Sequence, residues 1–249
     1  MLVRELKAID AFCGAGGLSL GLQEAGFNIL FSFDIEPLCI ETLELNKTYH
    51  KHRYEQGDVR EMLEGRLLNL AKLSRGELDL LAGGPPCQGF SVQRTVGDDY
   101  DHRNLLVDDY GDLILEMMPK FFLLENVTGI GGKRGRAILD KFRRRMSIAN
   151  YICHDRILDA QEYGVPQRRK RFFLVGQRSD CGADFIWPTH VTDVSRTVRQ
   201  TIGHLPPAPA DGKPHPSLRL HRADKLSKKN LLRIPVSYTH LTLPTIYSV

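Results

Sequence analysis

Apolar and polar positions keep two different rhythms over the first 180 or so residues. KAIDAF at 7–12 is a short apolar run ending on the glycine cluster Gly14, Gly16 and Gly17, and LSLGLQEA behind it has helical character. Gly26 ends that helix, and FNILFSFD predicts a second strand. The order then repeats. Ile40 to Asn46 reads as helical, Arg60 to Lys72 as a stronger helix, and Leu78 to Ala82 as an apolar run closing on Gly83-Gly84-Pro85-Pro86. A helix over Asp108 to Met118, the strand FFLLEN at 121–126, a helix near 135–147 and strands near 151–160 and 171–176 complete the series. Strands separated by helices of about ten residues predict an α/β fold: a Rossmann-like, doubly wound, mostly parallel sheet covered on both faces.

After about residue 186 the pattern stops. Prolines 188, 206, 207, 209, 214 and 216 interrupt any long element, so a second, irregular region is expected over 186–235, behind a first domain over 1–185. The final stretch, VSYTHLTLPTIYSV at 236–249, is uncharged and β-prone and does not continue LSKKNLLRI. It resembles the conceptual translation of a sequencing-library adapter, so a non-native tail is expected there, with the natural chain continuing past Pro235. No internal repeat is visible.

Composition narrows the class. The 249 residues are 42% hydrophobic and 26% charged, which excludes disorder throughout. No apolar stretch approaches the roughly 18 to 20 residues of a membrane helix, and MLVRELKAIDAF carries charges where a signal peptide would be apolar. A cytoplasmic protein with no membrane partner is expected. Cys13, Cys39, Cys87, Cys153 and Cys181 show no CxxC pair and no His at ligand spacing, so neither a disulfide framework nor a metal is expected. Net charge is +4, but unevenly spread. Residues 1–130 hold 12 Lys and Arg against 21 Asp and Glu, and residues 131–178 hold 13 against 4. Such a block suits a polyanion-binding face; a solvated helix face is the plainer alternative.

Four segments carry candidate chemistry. In Phe12-Cys13-Gly14-Ala15-Gly16-Gly17 the glycines allow a sharp turn and close approach of a ligand to helix N-terminal amides. Asp34 ends the second strand, where a carboxylate can accept ribose hydroxyls, and Asp58 in Gly57-Asp58-Val59 can take an adenine amino group. Helix capping is the plainer role for either. Together they suggest an adenosine-containing cofactor and leave NAD and S-adenosylmethionine both open. Cys87, in Gly83-Gly84-Pro85-Pro86-Cys87-Gln88-Gly89-Phe90-Ser91, follows an apolar strand and so falls at the sheet edge where open α/β folds bind ligands. The other four cysteines read as small buried hydrophobes. Glu125 ends a buried strand at the same edge, where partial desolvation would raise its proton affinity and let it donate to a ring nitrogen. Arg169 and Arg171, in Gln167-Arg168-Arg169-Lys170-Arg171, share one strand face and can converge on a carbonyl, carboxylate or phosphate.

FCGAGG, PPCQGFS, ENV and QRRKR, in this order over roughly residues 8–178, resemble the signature motifs of DNA (cytosine-5)-methyltransferases. The resemblance implies S-adenosylmethionine as methyl donor, double-stranded DNA as partner, a monomer, and a cytosine flipped out of the duplex. It implies Cys87 as nucleophile on cytosine C6, Glu125 on N3 and the exocyclic amine, and Arg169 with Arg171 holding the base and the thiol loop. Phe12, Gly14, Gly16, Gly17 and Asp34 would fall around the cofactor, with Ile35, Asp58, Val59 and Pro86. Gln88, Ser91, Arg103 and Asn126 would meet the substrate, Ser91 to Leu105 resembling a mobile loop that closes over the flipped base. A thiol suits this chemistry because it must both attack and leave readily.

The family continues through a recognition region into a proline-threonine motif and a Gly-Asn-Ser-Val-like segment that packs on the cofactor site. Neither is present in this sequence. A chain ending here is expected to expose apolar sheet surface and to be poorly stable and weakly active. A tRNA cytosine-5 methyltransferase and a non-catalytic DNA-binding remnant are the competing readings. A nicotinamide-dependent oxidoreductase would leave Cys87, Glu125 and the arginine pair unexplained. The DNA target and any companion restriction enzyme are not legible.

Overall fold

The computed structural model describes residues 4–86, 105–182, 184–189 and 197–207, with positions 209, 213, 215–217, 221 and 227. Cys87, Gln88, Ser91, Arg103, the loop expected to close over the base and the 236–249 tail lie outside the described residues. The chain divides into two compact units, Met1–Asp159 with Arg169–His190, and Ala160–Arg168 with Val191–Val249. The second unit contains α6 (Val198–Ile202), entered through a capping box in which Thr197 and Gln200 satisfy each other's backbone amides.

The first unit is built on β1 (Leu6–Ala11), β2 (Phe27–Asp34), β3 (Arg53–Gln56), β4 (Leu80–Gly83), β5 (Phe121–Val127), β6 (Tyr151–Asp159) and β7 (Lys170–Arg178). They form a 7-stranded sheet in the order β3-β2-β1-β4-β5-β7-β6. The strands from β3 to β5 pair parallel, and β7 runs antiparallel to both neighbours. The sheet is thus α/β and mostly parallel, as the alternation predicts. What the pattern does not predict is that the last strand inserts between its two predecessors. Strand order reverses between β1 and β4, so the connections after those strands diverge and leave a crevice at their C-terminal ends.

Period-two alternation assigns the faces, reset once in β2 by a register shift that pairs Ile29 with Ala8 and Phe31 with Ile9. Ile9, Phe31, Phe33, Leu81, Phe122, Leu124 and Leu174 point to one side. There they bury Leu67 of α3 (Arg66–Ala71), Val107, Tyr110 and Leu113 of α4 (Leu105–Met117), and Phe142 and Met146 of α5 (Lys133–Ile148). Ala8, Ile29, Leu80 and Ala82 point to the other side, against Leu18 and Leu22 of α1 (Gly17–Glu24). α2 (Pro37–Leu45) follows β2 and buries Leu43.

The helix expected over Arg60 to Lys72 is divided. A 3₁₀ turn at Val59–Met62 precedes α3, and between them Glu64 (φ 57°) and Gly65 (φ 78°) enter the left-handed region. The Glu116 carboxylate accepts the amides of both residues, at 2.9 and 2.8 Å, replacing the helical bonds lost at the break. That partner lies on α4, 51 residues downstream, beyond the reach of local propensity.

Candidate active site

The site assembles where the C-terminal ends of β1, β2, β4 and β5 come together. After β1 the chain turns at Phe12, a non-glycine residue at φ 57°. Such a backbone costs energy and persists only when its surroundings hold it. Here the Cys13 amide donates to the Phe33 carbonyl at 3.1 Å, and the Gly14 amide donates to Asp34 Oδ2 at 2.9 Å. The Phe12 ring packs between Phe33 and Tyr110, with centroids 6.3 and 6.1 Å away.

Asp34 therefore already holds the backbone: its second oxygen, Oδ1, accepts from the Glu36 amide at 2.9 Å. Gly16 is glycine for a local reason. It caps α1 at φ 86°, and a Cβ there would come 2.4 Å from Leu43 Cδ2 and 2.5 Å from His50 Cε1. Packing and backbone conformation, rather than approach of a ligand, account for it.

A cavity of about 510 Å³ opens at this edge. Phe12, Asp34, Ile35, Asp58, Val59 and Pro86, all expected around a cofactor, line it; Gly14, Gly16 and Gly17 do not. Phe33, Glu36, Gly57, Arg60, Gly84, Leu106 and Asp109 also line it and were not anticipated. Leu106 and Asp109 stand three apart on α4 and so share a helix face. That spacing is visible in the sequence, but which face meets the cavity is not. Asp58 caps the 3₁₀ turn by accepting from the Arg60 amide at 2.9 Å, and Arg60 holds it further through Nε at 2.9 Å and Nη2 at 2.5 Å. These bonds keep the Asp58 carboxyl below the usual carboxylate range, whereas burial raises that of Asp109.

Glu125 stands beside Gly84, where a Cβ on that glycine would lie 3.4 Å from Glu125 Oε2. Alternation along β5 and β7 puts Glu125 and Arg171 on one face, and the antiparallel register opposes Glu125 to Phe173 and Val127 to Arg171. Arg171 Nε lies 2.9 Å from Glu125 Oε1. Burial raises the proton affinity of Glu125 and outweighs the opposing pull of Arg171 and Arg169. Arg169 itself is exposed, its amide donating to Asp159 Oδ1 at 3.0 Å. Asn126, expected on the substrate, is 3% exposed and turned inward. Its Nδ2 donates to the Pro85 carbonyl at 3.0 Å, and its Oδ1 accepts from the Val127 amide at 2.8 Å. Asn126 thus ties β5 to the segment that leads into Cys87.

The basic block is less available than its composition suggests. On α5, Lys141 pairs with Asp108, Arg143 with Asp140 and Asp155, and Arg145 with Asp108 and Asp112. Among the remaining cysteines, Cys13 is buried as expected, but Cys39, Cys153 and Cys181 are only partly so. Burial pushes the Cys13 thiol strongly upward, away from nucleophilic character. Among the described residues no group of three or more His, Cys, Asp or Glu side chains is placed to hold a metal, and no helix is long and apolar enough to cross a membrane.

Residues 6–239 match the family model for C-5 cytosine-specific DNA methylases. Over 207 residues the chain is 35% identical to the Type II methyltransferase M1.HphI of Haemophilus parahaemolyticus, covering 81% of this chain and 53% of that protein. It is 34% identical over 227 residues to the Type II methyltransferase M.AquIA of Picosynechococcus sp., covering 82% of this chain and 90% of that protein. A crystal structure described as a candidate DNA modification methyltransferase encoded within an E. coli prophage superposes with a TM-score of 0.73 at 30% identity. That match covers 86% of this chain and 59% of the other. The chain thus spans little more than half the length of two of these three.

Proposed function

Because this chain belongs to the C-5 cytosine-specific DNA methylase family, we propose that it transfers a methyl group from S-adenosylmethionine to carbon 5 of cytosine in DNA. One observation carries the reading. Gly84, three residues before Cys87, lines the cavity, and a Cβ on it would lie 3.4 Å from Glu125 Oε2, so the cavity and the Glu125 carboxyl both adjoin the segment that leads to the thiol.

The cavity fits such a cofactor. Phe12, Phe33, Ile35, Val59 and Leu106 supply apolar walls for a flat ring, and Asp34 and Asp58 supply acceptors for ribose hydroxyls and an exocyclic amine. When bound, S-adenosylmethionine supplies an electrophilic methyl group. Cys87 as thiolate adds its electron pair to C6 of the flipped cytosine, and the displaced π electrons pass toward N3 and C5. Glu125 gives N3 a proton or a hydrogen bond and so lowers the cost of that addition. Burial makes it a better proton donor near neutral pH, and Arg171 keeps it ionisable enough to take the proton back. After C5 gains its methyl group, a solvent water takes the C5 proton, the freed electron pair restores the C5–C6 double bond, and the C6–S bond breaks to release Cys87 as thiolate.

The test is a trap. Duplex DNA containing 5-fluorocytosine, incubated with the protein and S-adenosylmethionine, should yield a covalent complex that Cys87→Ser abolishes and Glu125→Gln slows by about 10²-fold or more. Absence of a complex with the unaltered chain would sink the proposal, and labelling of tRNA instead of DNA would redirect its substrate.

A further inference from the structure

Four acidic residues, Asp34, Glu36, Asp58 and Asp109, line the cavity, and Arg60 is the only base among the described residues that do so. The Arg60 side chain is 65% exposed, while that of Asp58, which it grips, is 13% exposed. A carboxylate offers about four lone-pair directions. Three of those on Asp58 are taken by Arg60, through the backbone amide, Nε and Nη2. The fork also fixes the plane of the carboxylate, since a guanidinium gripping both oxygens permits one orientation.

We propose that Arg60 is a positioning residue that makes the cavity selective for a 6-amino purine over a 6-oxo purine, by holding Asp58 with a single free acceptor direction turned to the ring edge. An ionised carboxylate only accepts hydrogen bonds. It can therefore pair with the exocyclic amine of adenine, and it opposes the carbonyl oxygen that replaces that amine in hypoxanthine. Arg60 enforces this in two ways: its charge keeps Asp58 ionised, and its fork stops the carboxylate rotating to meet the other ring. Sites built to satisfy a polar group reject the analogue lacking it far more strongly than apolar pockets do. The inference rests on the cofactor reading above and adds to it the residue that sets base selectivity.

Binding to the full 249-residue chain by calorimetry tests it, with S-adenosylhomocysteine and its 6-oxo analogue S-inosylhomocysteine as probes. The unaltered protein should favour the adenosyl ligand by on the order of 100-fold. Arg60→Gln should lower that ratio about 10-fold, chiefly by weakening the adenosyl ligand, and Arg60→Lys, which keeps the charge without the fork, should fall between. Asp58→Asn, whose amide can serve either ring edge, should bring the ratio near one. If Arg60→Gln lowers the melting temperature but leaves the ratio at the unaltered value, the pair is only a helix cap and the inference fails while the cofactor reading stands. If the unaltered chain binds neither ligand, both fail.

Discussion

Asn126 donates from Nδ2 to the Pro85 carbonyl at 3.0 Å, so the strand that carries Glu125 also anchors the backbone two residues before Cys87. The tether is buried and spans 41 residues of sequence. Asn126→Ala would leave the Pro85 carbonyl and the Val127 amide without these partners. The expected loss is about 1–3 kcal/mol of stability, read as a lower urea midpoint at unchanged slope. A midpoint equal to that of the unaltered protein would show that the tether contributes nothing.

Glu125 holds its proton more tightly in the fold than in the unfolded chain, where the ordinary value is 4.5. Its contribution to stability is fully present below that value and is lost as pH rises through the higher folded-state pKa. Relative to Glu125→Gln, the unaltered chain should therefore gain stability on acidification from neutral pH. Arg171→Met removes the nearest positive charge and should move the Glu125 midpoint further upward. Carbon-13 NMR of labelled glutamate follows both, and a midpoint that falls in Arg171→Met would overturn the assignment.

Asp10 lies on β1 beneath the glycine turn, wholly buried, with Oδ2 accepting from the Ser19 hydroxyl at 2.6 Å. Burial pushes its carboxyl up to about 7 from 3.8. The sign is that of Glu125: stability present below 3.8 is lost as pH rises through about 7. Asp10→Asn removes the ionisation, so its melting temperature should improve relative to the unaltered protein as pH goes from 5 to 8. Parallel melting curves over that range would contradict it.

Gly16→Ala would force a side chain to adopt φ 86° and drive its Cβ into Leu43 and His50. Strain and overpacking together should cost about 2–4 kcal/mol. Adding His50→Ala opens part of that space, so the double variant should lose less than the sum of the two single ones. Additive losses by chemical denaturation would mean that the backbone conformation alone requires glycine.

β2 and β4 were legible because their apolar runs close on aspartate and glycine, as FNILFSFD does against β2 at Phe27–Asp34. Local signals of that kind need no partner. The helix expected over Arg60 to Lys72 is interrupted because Glu116 of α4 holds its break, a contact no local window contains. Leu106 and Asp109 were hidden for the same reason, since they reach the cavity from α4. Arg60 is two residues from Asp58 and still looks, in sequence, like any surface arginine.

By itself the sequence determined that the chain is α/β, that Asp34, Asp58 and Glu125 end strands or the turns just after them, and that Glu125 and Arg171 each sit at a strand terminus. Alternation and punctuation suffice for that, since both are properties of neighbouring residues. Only the tertiary structure decided that β7 inserts antiparallel beside β5, bringing Arg171 to 2.9 Å from Glu125. It also decided that Asn126 turns inward and that Lys141 and Arg145 of α5 pair with Asp108 and Asp112 of α4. Those outcomes depend on which faces meet across 30 to 50 residues of intervening chain, and hydrophobic burial chooses among such meetings only once the whole sheet has formed.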